Sequence, residues 1–578
     1  MFEKNIKIIE KTNPYLAQQI KRITLEEASK NVGAVKNENG EYILTQDNKY
    51  VDDTPSPLKS AEEVYSQQIK TAKYRQDFII IFGLGLANLL DYVHSKSITN
   101  LILFEPDLNI WRFTCEYVDL TKYFEDSRLF ISSNMMECVK YLEEKYLLDD
   151  KIEFVYLKNY VLQHPSEFTV LTERIYNACQ EKIIDMNTIK NMSKYWISNI
   201  FSNIKNIENK FPINLLENKF KDKTALILGA GPSLRDNIKQ IKANRDKFVI
   251  FAIHKTLSTL KENDITPDFC VIVDARWVKE TLSNDFDYLK NINLIADIKS
   301  DAYSNSLPFK NIFTYYPENN LFSEKLHDRI NLIKQLPTGG TSTICAYNSA
   351  KFMGIKNFIF AGLDLAFKND TAYCDNKNVV TTSQNTILIQ NIPKETTEVK
   401  SITGEYIKTR KDYAYFIKQF GTIFAGNKNA NFYNLSSFGA FINGMKYITA
   451  EEIFPEVKTL NDTETILNDC LEKNSQIPNI IKEKSLEILK EEDKKFEPIE
   501  KEIDEWFEMY ENIPSFFEYA TNIITKITSS MLLSEYIEIE LLKFSKLVLS
   551  TNTEKKQKFI FQLFTLIKNY SRFLHNLI

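Results

Sequence analysis

Short, mostly apolar runs alternate with longer amphipathic stretches through most of this chain. Phe78-Ile-Ile-Ile-Phe82 and Asn100-Leu-Ile-Leu-Phe104 make one series. A second series falls at 225–228, 248–252, 269–273, 294–296, 312–315 and 358–361. Apolar runs of about four to eight residues, bounded by turn signals, fit strands buried on both faces. With helical stretches between them, they predict mostly parallel sheets covered by helices on both sides. The pattern therefore predicts an α/β fold with two Rossmann-like units, residues 71–200 and 201–455. Residues 1–70 predict a helical start and a hairpin, with Asn39-Gly40 turning between 33–35 and 42–44. Pro55 and Pro57 then predict a linker. Beyond 455, Ile481, Ile488 and Leu489 share one helical face, and 540–549 and 559–567 are strongly apolar. Residues 456–578 thus predict a C-terminal helical domain.

The strand at 225–228 runs into Gly229-Ala-Gly231-Pro232-Ser233-Leu234. Gly229 and Gly231 can adopt φ > 0 and let a ligand approach the backbone. Pro232 suits a first helical turn, and Ser233 can cap or donate a hydroxyl. A helix starting here offers free N–H groups to phosphate. The same residues also make a tight strand–helix turn with no ligand, and a bare Gly-x-Gly does not separate the two. Another strand ends in Asp274, where ligands sit in open α/β sheets. In the first unit, Gly83-Leu-Gly85 is followed by a helix through Leu90, and Glu105 stands about 20 residues on. That spacing fits an adenosyl-methionine or dinucleotide site, but the missing third glycine favours a purely structural unit.

Four segments together resemble the motility-associated factor (Maf) flagellin glycosyltransferases. That family shares a domain with 6-hydroxymethylpterin pyrophosphokinases and is similar in fold to bacterial CMP-sialic acid sialyltransferases. The segments are Leu228-Gly-Ala-Gly-Pro-Ser-Leu234; Ile265-Thr-Pro-Asp268 with Val271-Ile-Val-Asp274; Thr338-Gly339-Gly340-Thr341-Ser342 with Phe358-Ile-Phe-Ala-Gly-Leu-Asp364; and Asn434-Leu-Ser-Ser-Phe-Gly-Ala-Phe-Ile-Asn-Gly444. The resemblance implies that residues 201–455 form a sialyltransferase-like (GT-A-type) nucleotide-sugar domain. It also favours the structural reading of the first unit.

Composition adds bounds. A chain of 578 residues exceeds one core, since cores stop growing near about 250–300 residues. A net charge of −5 gives no electrostatic case for nucleic acid. None of the seven cysteines forms a Cys-x-x-Cys pair, so a zinc site is not indicated and reduced thiols are. Charges interrupt the N-terminus where a signal peptide needs an apolar core, and no run reaches transmembrane length. A cytoplasmic protein is expected.

If the resemblance holds, the donor is a CMP-activated nonulosonic acid such as pseudaminic or legionaminic acid. The acceptor is a flagellin Ser or Thr, and no cofactor is required; a divalent metal is left open. Gly229 to Leu234 and Thr338 to Ser342 are the candidate cradles for the nucleotide-sugar. Asp274, Asp364 and His254 each follow a strand end and compete as general base. By the resemblance, His254 is rather a contact to the nucleotide-sugar. The bland roles are helix caps for the aspartates and a satisfied core position for the histidine. The Thr-rich segment 370–410 fits either a loop near the acceptor or a surface excursion. Two other functions remain open: ATP-dependent pyrophosphoryl transfer to a pterin, and a non-catalytic flagellin-binding scaffold.

Overall fold

The computed structural model describes residues 1–69, 77–96, 100–147, 150–207, 210–276, 278–282, 285–318, 321–368, 374, 379–381, 386–388, 396–458, 462–509, 516–537, 540, 541, 544 and 553–577. Two compact units emerge, Met1–Ile189 and Lys190–Ile578. No described helix is long and apolar enough to cross a membrane.

The first unit opens with helices, then the expected hairpin: β1 (Val32–Lys36) pairs antiparallel with β2 (Tyr42–Gln46), and Gly40 turns at φ +85°. A short third strand, β3 (Lys49–Tyr50), extends it. Pro57 does not sit in a linker. It starts a helix, Pro57–Gln68, because a first-turn proline gives up no helical hydrogen bond. Four parallel strands come next: β4 (Phe78–Phe82), β5 (Asn100–Phe104), β6 (Leu129–Ser132) and β7 (Ile152–Tyr156), in the order β6-β5-β4-β7. Every residue of β4 and β5 is buried, which is why both are apolar apart from Asn100 at the start of β5. The helix after Gly85, α1, spans Asn88–His94, beginning later than expected because Ala87 is held left-handed at φ +66°.

The second unit is built on a sheet of ten strands, all paired in parallel. They are β8 (Lys210–Pro212), β9 (Thr224–Leu228), β10 (Val249–Ile253), β11 (Phe269–Ile272), β12 (Asn293–Asp297), β13 (Ile312–Pro317), β14 (Gln335–Leu336), β15 (Asn357–Ala361), then, beyond two small hairpins, β20 (Asn431–Asn434) and β21 (Lys446–Tyr447). The hairpins are β16 (Val379–Thr381) with β17 (Thr386–Leu388), and β18 (Thr396–Lys400) with β19 (Tyr406–Arg410). The sheet order is β14-β13-β12-β11-β10-β9-β15-β20-β21, with β8 beside β13. Successive residues of β9 serve opposite cores: Leu226 and Leu228 pack on one face, Ala225 and Ile227 on the other. The chain steps outward from β9 to β13, then returns to lay β15 against the other side of β9. That reversal opens a crevice at the carboxyl ends of β9 and β15, the place where such sheets bind ligands.

Three helices of this unit flank the strand ends, α2 (Leu234–Ala243), α3 (Ser342–Phe352) and α4 (Lys411–Gly426), and a fourth, α5 (Ile477–Asp493), lies toward the C-terminus. Ile481, Ile488 and Leu489 of α5 are all buried in one helical core with Trp506, Leu563 and Phe564. Of the apolar stretch at 540–549, only 540, 541 and 544 lie within the described residues; the stretch at 559–567 belongs to the helix Thr553–Leu577. Thr396 and Thr397 of the Thr-rich segment lie in β18, while 382 and 383 lie outside the described residues.

Candidate active site

The two glycine turns meet at the reversal. Gly229 donates its N–H to Ala361 O at 2.9 Å, and Gly231 donates to Gly362 O at 2.8 Å. A Cβ on Gly229 would stand 2.5 Å from Gly362 O; one on Gly231 would stand 2.5 Å from Asp364 Oδ2. Neither Gly229 nor Gly231 has a positive φ; Gly362 does, at +72°. The glycines at 229 and 231 are therefore required by the close approach of the β15 turn, not by left-handed backbone.

Asp364 ties this junction together. Its carboxylate accepts the Ser233 N–H at 2.8 Å, the Ser233 hydroxyl, and the Ser436 hydroxyl at 2.7 Å. It is 1% exposed. Burial pushes its pKa up, and the serine hydrogen bonds pull the other way. The segment 434–444 holds its main chain: Ala440 N–H donates to Asp364 O at 2.8 Å, and a Cβ on Gly439 would stand 2.6 Å from the same oxygen. The first, third and fourth motifs thus converge on one saturated carboxylate. Pro232 lies in the turn before α2, while Ser233 and Leu234 are fully buried.

A cleft of about 280 Å³ opens beside this junction. Of the residues singled out in the sequence, Gly229, Gly231, His254, Asp274, Gly340, Thr341, Ser342 and Asp364 line it. Pro232, Ser233, Leu234, Thr338 and Gly339 do not; they shape the turns behind it. Gly339, at φ +58°, has Ile344 at 2.3 Å from its Cβ position, and Thr338 O accepts the Cys345 thiol. Thr341 caps α3 by accepting the Ile344 N–H at 3.1 Å. Ser342 and Thr343 are the first two residues of α3, so their N–H groups have no acceptor within the helix, and both residues line the cleft. Free N–H groups and the helix dipole give this end of α3 the chemistry to receive an anion.

His254 follows β10 and is 2% exposed. Its Nδ1 lies 3.7 Å from Asp274 Oδ2 and has no hydrogen-bond partner among the described residues. Burial lowers the imidazole to about 4, against the opposing pull of Asp274; Lys255 lowers it further. The ring is therefore neutral at pH 7, and one orphan nitrogen remains to be satisfied. Asp274 keeps 44% of its side chain exposed. A histidine depressed in the fold is more readily protonated unfolded, so acidification from pH 6.5 toward 4 removes stability. Thermal melts of wild type and His254→Asn across that range should show the wild-type advantage shrinking as pH falls.

One part of the cleft lining escaped the sequence reading. Arg410 ends β19, and Asp412, Tyr413, Phe416 and Phe420 project from α4 into the lining. Arg410 pairs with Asp412 and lies 4.5 Å over the Tyr413 ring. The signal was present in part: Tyr413, Phe416 and Phe420 recur at helical spacing on one face. Among the described residues, no three His, Cys, Asp or Glu side chains group as a metal site.

The glycine turn of the first unit is closed. Glu105 accepts the Leu84 N–H at 2.8 Å, the Asp107 N–H at 2.7 Å and the Tyr160 hydroxyl. Burial pushes its carboxyl up to about 8, with those hydrogen bonds opposing. The Tyr160 ring lies 2.5 Å from the Cβ position of Gly83, packed directly against the turn. Adding NAD or S-adenosylmethionine should leave hydrogen exchange at 78–105 unchanged.

The fold is thus a doubly wound α/β sheet with its crevice at the topological switch, carrying helices beyond the sheet. Over 99% of this chain and 96% of the other, it matches the structure of the Maf glycosyltransferase from Magnetospirillum magneticum AMB-1, with a TM-score of 0.65 and 14% identity. Residues 198–370 match the family described as 6-hydroxymethylpterin diphosphokinase MptE-like. The resemblance read from the motifs is borne out in these two matches: a fold like that of the Maf glycosyltransferase, with a central stretch like the MptE-like family. An uncharacterized protein of Treponema pallidum (strain Nichols) is 27% identical over 123 residues, 21% of this chain; the match spans 58% of that protein's own length.

Proposed function

We propose that this chain is a glycosyltransferase that moves a nonulosonic acid, pseudaminic or legionaminic, from its CMP-activated form to Ser or Thr of flagellin in the cytoplasm, in support of flagellum assembly and motility. The observation that carries the reading is the switch-point cleft, in which the α3 N-terminus, His254 and Asp274 face one space on a Maf-like fold. In this mechanism the acceptor hydroxyl attacks the anomeric carbon, the bond from that carbon to the phosphate oxygen breaks, and CMP leaves as an anion. The N–H groups of Ser342 and Thr343 hold the departing phosphate. Asp274, an accessible carboxylate, takes the hydroxyl proton. Neutral His254 offers its orphan nitrogen to the nucleotide-sugar. Asp364 serves as a positioning residue, since its oxygens are already engaged by Ser233 and Ser436.

The test is mass spectrometry of unglycosylated flagellin after incubation with the purified protein and a CMP-nonulosonic acid, with and without EDTA. The expected result is a sugar mass on Ser or Thr. The MptE-like match supports a second reading, diphosphate transfer from ATP to a pterin alcohol. Turnover of ATP with pterin and none with the CMP-sugar would replace the first reading with that one. Flagellin binding without any transfer would favour the scaffold.

A further inference from the structure

The second unit carries another cavity at the amino-terminal ends of the strands whose carboxyl ends form the cleft. Thr224 opens β9, Asn357 opens β15, and both line it. Its volume is about 610 Å³, more than twice that of the cleft and within the range of small-molecule sites. The floor includes Ile359 and Tyr433. Five lysines line it (Lys221, Lys223, Lys247, Lys356 and Lys458) against two carboxylates, Asp222 and Glu456.

Two of the lysines are committed: Lys223 pairs with Asp462, and Lys247 donates to Phe454 O at 2.9 Å. Lys221, Lys356 and Lys458 form no ion pair among the described residues. General basicity does not account for this concentration, because the chain as a whole is acidic at −5. A concave site lined by one sign of charge focuses its potential and concentrates counter-ions. Ammonium groups on flexible stems act as point charges that can converge on phosphate oxygens from several directions.

We propose that this cavity binds a phosphorylated small molecule, at a site separate from the cleft and independent of the glycosyltransferase reading. The experiment is calorimetric titration of the full-length protein with inorganic pyrophosphate, with and without saturating CMP. The variant is K221Q/K356Q/K458Q, which alters only exposed side chains. The expected result is saturable binding by wild type that CMP does not displace, weakened by about tenfold or more in the variant at an unchanged melting temperature. Equal affinity in the variant, displacement by CMP, or no saturable wild-type binding would overturn the assignment. If the variant melts lower, the single substitution Lys356→Gln takes its place, with a loss of about threefold expected and an unchanged affinity counting against the site.

Discussion

Asp364→Ala is expected to cost the protein about 4 kcal/mol of stability and, on the proposed reading, to abolish CMP binding in the cleft. Three buried donors, the Ser233 N–H and the hydroxyls of Ser233 and Ser436, would lose their acceptor. Each buried donor left unsatisfied costs about 1–3 kcal/mol, and some relaxation offsets the sum. Because the same carboxylate fixes the turn after Gly231, the cleft should deform along with the lost stability. Asp364→Asn, which keeps one acceptor oxygen, should lie between the two. Denaturant melts combined with CMP titration check this. A variant that melts like wild type, binds CMP and fails only in turnover would instead make Asp364 the base.

Asp274→Asn should show the opposite signature. The side chain is half exposed and, apart from the 3.7 Å approach to His254, makes no side-chain hydrogen bond among the described residues, so the fold should persist and, on the proposed reading, so should CMP affinity. Removal of a general base lowers turnover by about 10²–10⁴. Initial rates of sugar transfer, alongside CMP binding and melting temperature, separate the two aspartates. Turnover within about twofold of wild type would remove Asp274 from the chemistry.

These contrasting aspartates mark where the sequence stops speaking. Both follow an apolar strand, and locally they look alike. What distinguishes them is Ser233 and Ser436, which lie 131 and 72 residues from Asp364 and reach it only through the sheet order. The strands themselves were legible, because parallel strands buried on both faces must be apolar throughout. The glycine turn was legible as a turn, but the reason for its glycines was not, since Gly362 approaches from a distant strand. Glu105 had the spacing of a ribose ligand, yet Tyr160, 55 residues further along, donates its hydroxyl to that carboxylate and packs against Gly83. The Arg410 to Phe420 wall was missed because a segment read for polarity hid a hairpin leading into an aromatic helix.

The reversal of strand order also sets a schedule on the ribosome. β9 to β13 can pair in the order in which they emerge, each beside the last. β9 waits for its other neighbour, β15, and the Asp364 junction waits longer still, for Ser436. At a synthesis rate of about 5–20 residues per second, roughly 10 to 40 seconds separate the end of β9 from that serine. Throughout that interval the nascent unit holds half a sheet with one edge of β9 unpaired and its glycine turn unanchored. The Asp364 junction therefore closes late, and until β15 arrives the open edge of β9 is a template on which another strand can pair.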